Sequence, residues 1–265
     1  MRRNHLRELL RAGKPSLGTR VHQSWPTITE LIGHSQQFDY VEFLAEYAPY
    51  GLYELENLGR AIDLFPDFSG LIKIEQESRT HLTVRAMAAG IQNVLFTDCR
   101  TVDDVWECVR AVRPETPEDG GLHGVGQGRD VGVVLEVGAP AVVQAYRDAV
   151  IILMIEKKQA IENLESLLAV PGVDMVQFGP ADYSMSVGLA GQRQHPAIVE
   201  AQKHMIATAL KMGVQPRAEI QTPNEAEYFL NLGVRHFCMG TDVRVLYNFY
   251  RDNGTRMREV LGRLK

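Results

Sequence analysis

Two carboxylates, Glu156 and Asp182, are the residues of this sequence best spaced to do chemistry together. Glu156 ends the apolar run Ile151–Ile155, and Asp182 follows the run Val173–Phe178 after a Gly-Pro break. Between them, Ala160–Val170 carries apolar residues at helical spacing. A continuous apolar strand is buried on both faces, as in a parallel sheet with helical crossovers. The unit therefore predicts two parallel strands that bring both carboxylates to the same end of a sheet.

This pair of carboxylates predicts a metal site. Like charges in a cleft repel, so two converging carboxylates need a cation or a proton between them. Oxygen-only ligands favour a hard divalent ion, Mg²⁺ or Mn²⁺. Each residue alone has a simpler role open to it: Glu156 could pair with Lys157 or Lys158. Asp182 could cap a helix that begins after the Gly-Pro break.

Composition and charge exclude several classes of protein. The chain has 265 residues, 45% of them hydrophobic, and a formal net charge of −5. The length fits one α/β barrel or two small domains, and the charge gives no sign of a nucleic-acid or acidic-membrane partner. Because the N-terminus has no apolar signal core and no run is long enough to span a membrane, we expect a cytoplasmic protein. The cysteines, Cys99, Cys108 and Cys238, show no CxxC spacing and are expected to be buried free thiols.

Strand and helix patterns alternate along almost the whole chain. Besides the two strands above, strands are predicted at Ser16–His22, Asp39–Ala45, Gly70–Gln76, Gln92–Thr97, Val131–Val137, Arg217–Ile220 and His236–Gly240. About eight βα units predict an α/β fold, a closed (β/α)8 TIM barrel, as a single domain over residues 1–265. An open doubly wound sheet is the alternative, but no GxGxxG follows the first strand. The Pro- and Gly-rich segment Pro114–Asp130 predicts a long loop at an active site or interface.

The segments VPGVDMVQFGPADYSMSVG, followed by HP, and IEKKQAIENL resemble the HpcH/HpaI family of metal-dependent 2-oxo-acid (pyruvate) aldolases, in the phosphoenolpyruvate/pyruvate barrel superfamily. Weaker matches are FDYVEFLAEYAP and GVGQGRD, and the resemblance spans nearly the whole chain. It implies a class II, metal-dependent aldolase or lyase that joins or splits a 2-oxo acid and an aldehyde through a metal-stabilised enolate.

The resemblance also implies roles for particular residues. Glu156 and Asp182 would hold the Mg²⁺ or Mn²⁺ ion. Backbone N–H groups around Gly179, Ala181 and Asp182 would bind the carboxylate of the 2-oxo acid, since the chain turns there into a helix start that favours an anion. The resemblance further implies a homo-oligomer, a trimer or a hexamer.

The chain departs from the family at the residues that move protons. The family motif D-G-E-H-A-P reads Leu44-Ala45-Glu46-Tyr47-Ala48-Pro49 here, so Tyr47 stands for the catalytic histidine and Leu44 for its orienting aspartate. With an ordinary pKa near ~10, Tyr47 is a poor base unless a metal or a cation lowers that pKa. Packing at the barrel mouth is its alternative role. The family's third-strand arginine is Lys73, which keeps the charge for the oxo-acid oxygens but loses the planar fork.

Two histidines and several other charges complete the set of candidates. His123, at a family arginine in the long loop, and His22, at the end of the first strand, could replace the missing acid or base. Glu42 and Glu75 could partner Lys73, because a charge inside a barrel needs a partner or a ligand. We expect Arg79, Arg85 and Asp242 at the surface or at helix ends.

The sequence leaves three functions open: a metal-dependent aldolase, another reaction on the same scaffold, and a protein that only binds a 2-oxo acid. The leading one is the metal-dependent aldolase. A rival enzyme mechanism uses Lys73 as a Schiff-base nucleophile, although the retained carboxylate pair argues against it. The lost His–Asp pair favours either a changed reaction on the same scaffold, such as acyl condensation or hydrolysis, or a catalytically weakened protein that binds a 2-oxo acid.

Overall fold

The computed structural model describes residues 3–264. Its strands form one closed parallel barrel in sequence order, with the last strand beside the first. The strands are β1 Ser16–Val21, β2 Tyr40–Leu44, β3 Ser69–Ile74, β4 Asn93–Phe96, β5 Ile151–Ile155, β6 Met175–Phe178, β7 Gln215–Ile220 and β8 His236–Thr241. The predicted (β/α)8 barrel is confirmed.

Helices surround the barrel and follow most strands. Over residues 3–264 they are α1 His5–Arg11, α2 Pro26–Ser35, α3 Leu52–Asp63, α4 Arg79–Ala88, α5 Val102–Val112, α6 Pro140–Asp148, α7 Lys158–Glu162, α8 Leu164–Leu168, α9 Pro180–Ser186, α10 Pro196–Met212, α11 Ala226–Asn231 and α12 Asp242–Gly262. The helix predicted over Ala160–Val170 is therefore two short helices that meet at Asn163. In this part of the chain, no helix is both long enough and apolar enough to cross a membrane.

The apolar run Val131–Val137, which reads as a strand in the sequence, forms none. Gly132 and Val133 both adopt left-handed backbone conformations, with φ of +59° and +63°, and two such residues in a row cannot continue an extended strand. Leu135 in the same run is 84% exposed. The fifth barrel position is filled by β5, which pairs with β4. Irregular chain thus extends from residue 113 to 139, apart from one 3-10 turn at Arg129–Val131, and does not end at residue 130.

The barrel interior is apolar toward the amino-terminal ends of the strands and polar farther along. One buried cluster inside it consists of Leu6, Tyr40, Leu71, Leu95, Val150, Ile152, Met154 and Met175. Helix α1 closes this end, because Leu6 joins the cluster and the Asn4 side chain donates to Asn93 at the start of β4. Farther along lie four buried polar residues, Glu42, Lys73, Gln177 and Arg217. All three cysteines are buried and free, as predicted.

Candidate active site at the carboxyl ends of the strands

Adjacent strands β5 and β6 carry Glu156 and Asp182 to the same end of the barrel. Ile155 pairs with Phe178, so Glu156 and Gly179 leave the two strands at the same level. Asp182 lies in the first turn of α9, directly after β6. The two carboxylates therefore meet at the carboxyl ends of the strands, where barrels of this kind build their active sites.

Glu156 is a buried carboxylate with little compensation for its charge. It is 4% exposed, and its Oε1 accepts a hydrogen bond from the backbone N–H of Asp98 at 3.0 Å. Burial raises the pKa of Glu156 to about 7, and the charge of Asp182 acts in the same direction. Lys73 and the Asp98 N–H act against this rise without cancelling it. A cation at this point would therefore favour the ionised carboxylate.

Gly179 leaves room for Glu156 and does not offer its N–H to a ligand. A Cβ on Gly179 would lie 2.7 Å from Glu156 Cβ and 2.9 Å from Glu156 Oε2, closer than real Cβ contacts. The Gly179 N–H donates to the carbonyl of Ile155 at 3.0 Å, so this N–H already has an acceptor within the barrel. The N–H groups of Ala181 and Asp182 lie in the first turn of α9, where a helix supplies them with no acceptor.

Asp98, Arg100 and Lys157 also belong to this site, and the sequence reasoning missed them. Asp98 follows β4 with φ of +53°, a strained conformation for a residue other than glycine. Arg100 contacts both Asp98 carboxylate oxygens, at 2.5 and 3.0 Å. The Lys157 ammonium lies 3.3 Å from Asp182 Oδ1 and 3.9 Å from Asp98 Oδ2. The signal was a charged residue directly after an apolar strand, the same signal that singled out Glu156.

Arg79 supports the loop that carries Asp98. Its guanidinium donates to the carbonyls of Thr97 and Asp98, at 3.3 and 3.1 Å, and to Glu107 at 2.9 Å. Arg79 is the first residue of α4, which is the helix-end position expected for it, but its side chain is only 2% exposed. The Arg79 side chain is buried because carbonyl groups that are shielded from water need hydrogen-bond donors, and its guanidinium supplies them.

Lys73, on β3, lies inside the barrel and is paired with residues of the loop after β2. Its ammonium contacts Glu46 Oε2 at 2.5 Å and the Tyr47 hydroxyl at 2.5 Å. Burial disfavours the ammonium, but these two neighbours outweigh it and raise the pKa of Lys73. The suggested partner Glu42 instead pairs with the buried Arg217, so the partner is Glu46, which stands two residues beyond the end of β2.

Tyr47 stays protonated in this setting. Burial raises its pKa to about 12, while Lys73 acts in the opposite direction. The residue is 53% exposed, and even a smaller rise keeps the hydroxyl neutral near pH 7. With Lys73 donating to its oxygen, the Tyr47 hydroxyl can give a proton but cannot readily take one. The neighbouring Leu44 is buried and apolar, so it cannot orient a base.

The two candidate histidines lie apart from the carboxylate pair. The His123 ring is buried against Tyr146, with ring centroids 4.0 Å apart, and the backbone N–H of His123 donates to the carbonyl of Arg113. Arg113 in turn bonds the carbonyl of Ala149, just before β5, so His123 lies toward the amino-terminal ends of the strands and cannot replace an acid or base at the site. His22 follows β1 at the carboxyl end, and its backbone N–H donates to Asp242.

The side chains of the site fit a lightly ligated hard ion. Within residues 3–264, no three His, Cys, Asp or Glu side chains converge as a metal-binding group. The two carboxylates of Glu156 and Asp182 suit Mg²⁺, because that ion keeps several water ligands and takes few carboxylates. An open cleft of about 540 Å³ lies beside them, lined in part by Arg100, Lys157 and Asp182, with room for a small substrate.

Comparison with known proteins decides the family. The model of the HpcH/HpaI aldolase/citrate lyase family matches residues 69–248. The chain belongs to this family. It is 28% identical over 244 residues to the 4-hydroxy-2-oxo-heptane-1,7-dioate aldolase of Shigella boydii serotype 18, covering 92% of this chain and 90% of that protein. The family and its relatives thus make the protein an enzyme of the aldolase and lyase group.

Solved structures of family members share the fold. The HpcH/HpaI aldolase from Desulfitobacterium hafniense DCB-2 superposes with a TM-score of 0.86 at 26% identity, covering 96% of each chain. An HpcH/HpaI aldolase/citrate lyase family protein from Burkholderia cenocepacia J2315 also gives 0.86, at 25% identity, covering 97% of this chain and 100% of the other. The family barrel is therefore present here over nearly its whole length.

Proposed function

We propose that the protein is a divalent-metal-dependent carbon–carbon lyase of the class II aldolase type, acting on a 2-oxo acid with an aldehyde as second product or substrate. The observation that carries this proposal is the pair Glu156 and Asp182 at adjacent strand ends, with Glu156 buried and its pKa raised to about 7. A relative at 28% identity is named for the aldol cleavage of such a 2-oxo acid.

Glu156 and Asp182 would hold the metal. Glu156 Oε1 already accepts the Asp98 N–H, while a side chain on Gly179 would collide with Oε2, so the glycine keeps space around that second oxygen. Oxygen donors favour Mg²⁺ or Mn²⁺. When bound, such an ion supplies Lewis-acid stabilisation of the negative charge that develops on the 2-oxo acid.

The remaining roles fall to groups around the two carboxylates. The N–H groups of Ala181 and Asp182, in the first turn of α9, are suited to the substrate carboxylate. Lys73 supplies a fixed positive charge, since its contacts with Glu46 and Tyr47 raise its pKa. A lysine kept protonated in this way is a poor Schiff-base nucleophile. The Tyr47 hydroxyl is suited to donate a proton to the carbon or oxygen that becomes negative.

A second candidate function has one observation in its favour. At the positions of the family's His–Asp pair stand Tyr47, whose pKa is raised, and Leu44, which is buried and apolar. Loss of the base favours a changed reaction on the same scaffold or a protein that only binds a 2-oxo acid. The assay below separates these from the aldolase.

We also propose that the protein assembles as a homo-oligomer, a trimer or a hexamer. Helix α12 buries no residue, although it is 21 residues long. Its exposed apolar residues include Val245, Leu246, Tyr247, Phe249, Tyr250, Met257, Val260 and Leu261. The irregular segment adds Val134 and Leu135, at 70% and 84% exposure. Apolar surface of this extent is typical of a protein interface.

Pyruvate release tests the proposed function. The protein is incubated with 4-hydroxy-2-oxo acids of different chain length, and pyruvate is measured with a coupled dehydrogenase. We expect release with Mg²⁺ or Mn²⁺, loss of release with a chelator, and recovery when metal is added back. Pyruvate release that is unchanged in the presence of the chelator would contradict the proposed role of the metal. Pyruvate binding without any release would favour the second candidate.

A further inference from the structure

Lys157 is a cation bound to one of the proposed metal ligands. It directly follows Glu156, and its ammonium lies 3.3 Å from Asp182 Oδ1. The Lys157 side chain is 20% exposed, so the contact is partly shielded from water. An ammonium in this position neutralises Asp182 at the point where a divalent ion would bind.

The other carboxylate near Lys157 is already compensated. Asp98 lies 3.9 Å from the ammonium, but Arg100 contacts both of its oxygens at 2.5 and 3.0 Å. Asp182 differs from Asp98, since the ion pair that it forms is with Lys157. The positive charge of Lys157 is therefore directed chiefly at Asp182.

The next residue along the chain provides a comparison. Lys158 lies 3.6 Å from Glu162 on the surface of α7, and both side chains are about 60% exposed, at 63% and 59%. It has the same side chain and charge as Lys157 and lines the same cleft, but its partner Glu162 is not one of the two proposed metal ligands. Lys157 and Lys158 thus differ in position and not in chemistry.

We propose that Lys157 is an internal competitor for the divalent ion: its ammonium occupies the Asp182 carboxylate until the ion binds, and so sets the metal affinity of the site. The inference rests on the proposed function, because it takes Glu156 and Asp182 as the metal ligands. An ion that reaches Asp182 must displace the ammonium and remain near its charge, and both effects weaken binding. Lys157 is a positioning residue in this account.

Mn²⁺ binding tests the inference without reference to activity. Free Mn²⁺ is measured by electron paramagnetic resonance during titration of the parent protein and of Lys157→Met, Lys157→Arg and Lys158→Met. We expect Lys157→Met to bind Mn²⁺ on the order of tenfold more tightly, the effect of removing a unit charge near a divalent ion in largely aqueous surroundings. Lys157→Arg keeps the charge and Lys158→Met leaves Asp182 unchanged, so both should match the parent within about twofold.

The outcomes separate this inference from the proposed function. If the parent binds Mn²⁺ and Lys157→Met binds it equally or more weakly, Lys157 does not compete and the inference is wrong, while the metal site stands. If Lys158→Met tightens binding as much as Lys157→Met, the effect is one of overall charge and the inference is also wrong. If neither the parent nor any variant binds Mn²⁺, the proposed metal site itself fails. Circular dichroism of each variant checks that it is folded.

Discussion

The backbone N–H of Asp98 donates a 3.0 Å hydrogen bond to Oε1 of Glu156, and Asp98 makes this bond from a left-handed conformation with φ of +53°. A non-glycine residue with positive φ is held there by its surroundings. Arg100 on the Asp98 carboxylate and Arg79 on its carbonyl supply that hold. The loop after β4 thus orients the Glu156 carboxylate, which follows β5. One oxygen of Glu156 already accepts a hydrogen bond from the protein.

Removing either proposed metal ligand should abolish metal binding. Glu156→Ala or Asp182→Ala leaves one carboxylate, too few protein oxygens for a stable Mg²⁺ or Mn²⁺ site. We expect no Mn²⁺ binding in titration calorimetry and no activity. Glu165→Ala, an exposed carboxylate on α8, is the matched control and should behave as the parent. Parent-like Mn²⁺ titration by both site variants would rule out the pair as the ligands.

Loss of the Tyr47 hydroxyl should slow turnover and spare binding. Tyr47→Phe keeps the ring and removes only the proton donor, so kcat should fall by about 10²–10⁴-fold with KM for the 2-oxo acid nearly unchanged. Tyr53→Phe, on an 83% exposed tyrosine of α3, is the control. Full activity in Tyr47→Phe would leave Tyr47 only a packing role.

Rebuilding the family residues should restore ordinary chemistry. Tyr47→His together with Leu44→Asp recreates a base near neutral pH and the carboxylate that orients it. If the rest of the site is competent, pyruvate-aldolase activity should rise above that of the parent in the same coupled assay. A folded double variant that binds Mn²⁺ but gains no activity would show that further residues have changed the reaction.

The stability of the folded protein should decrease as the pH is lowered, because His236 is buried in its neutral form. His236 is 3% exposed, and burial lowers its pKa from 6.5 to about 4, with Arg235 and Arg217 acting in the same direction. The unfolded chain takes up a proton below pH 6.5 that the folded protein refuses until about pH 4, so stability is lost as pH falls through that window. The contribution of this group should drop by about 2 kcal/mol between pH 7 and pH 5.

Denaturant unfolding of the parent and His236→Asn at both pH values measures this contribution. The variant removes the titrating group, although it also changes the 2.9 Å contact with Ser16. Its own loss of stability between pH 7 and pH 5 should therefore be smaller than that of the parent. Equal losses in the two proteins would mean that His236 is not the titrating group.

Self-association should depend on the apolar residues of α12. Phe249→Glu puts a charge on a residue that is 61% exposed in a single chain, and burial of that charge in an interface would be costly. We expect light scattering to give a trimer or hexamer for the parent at micromolar concentration and a smaller species for the variant. Asn253→Glu on the same helix is the control. A monomeric parent protein would contradict the proposed homo-oligomer.

The order of the strands could be predicted because apolar runs bounded by turns carry that information directly. The strand predicted at Val131–Val137 was wrong, because the hydrophobic pattern of the sequence does not reveal the left-handed backbone at Gly132 and Val133. The carboxylates at strand ends could be found from spacing alone. The pairing of Lys73 with Glu46 could not, because it depends on how the loop after β2 folds back over β3.

Residues that act through their backbone were the hardest to find. Asp98 reaches Glu156 by its N–H, which every residue except proline possesses. Gly179 was assigned an anion-binding N–H from the resemblance, yet that N–H is used in the barrel and the residue serves by having no side chain. Arg217 lies in β7, and its partner Glu42 is 175 positions away.

Hydrogen–deuterium exchange at the methyl group of pyruvate tests the central claim most directly. Proton NMR would follow the methyl signal in D₂O with the parent protein and Mg²⁺, with the parent and a chelator, and with Asp182→Ala and Mg²⁺. We expect the signal to decay only in the first of these, because loss of the methyl proton to solvent needs the Lewis-acid stabilisation that the ion held by its ligands would supply. Decay that is equally fast with the chelator, or none in any sample although pyruvate binds, would contradict the account.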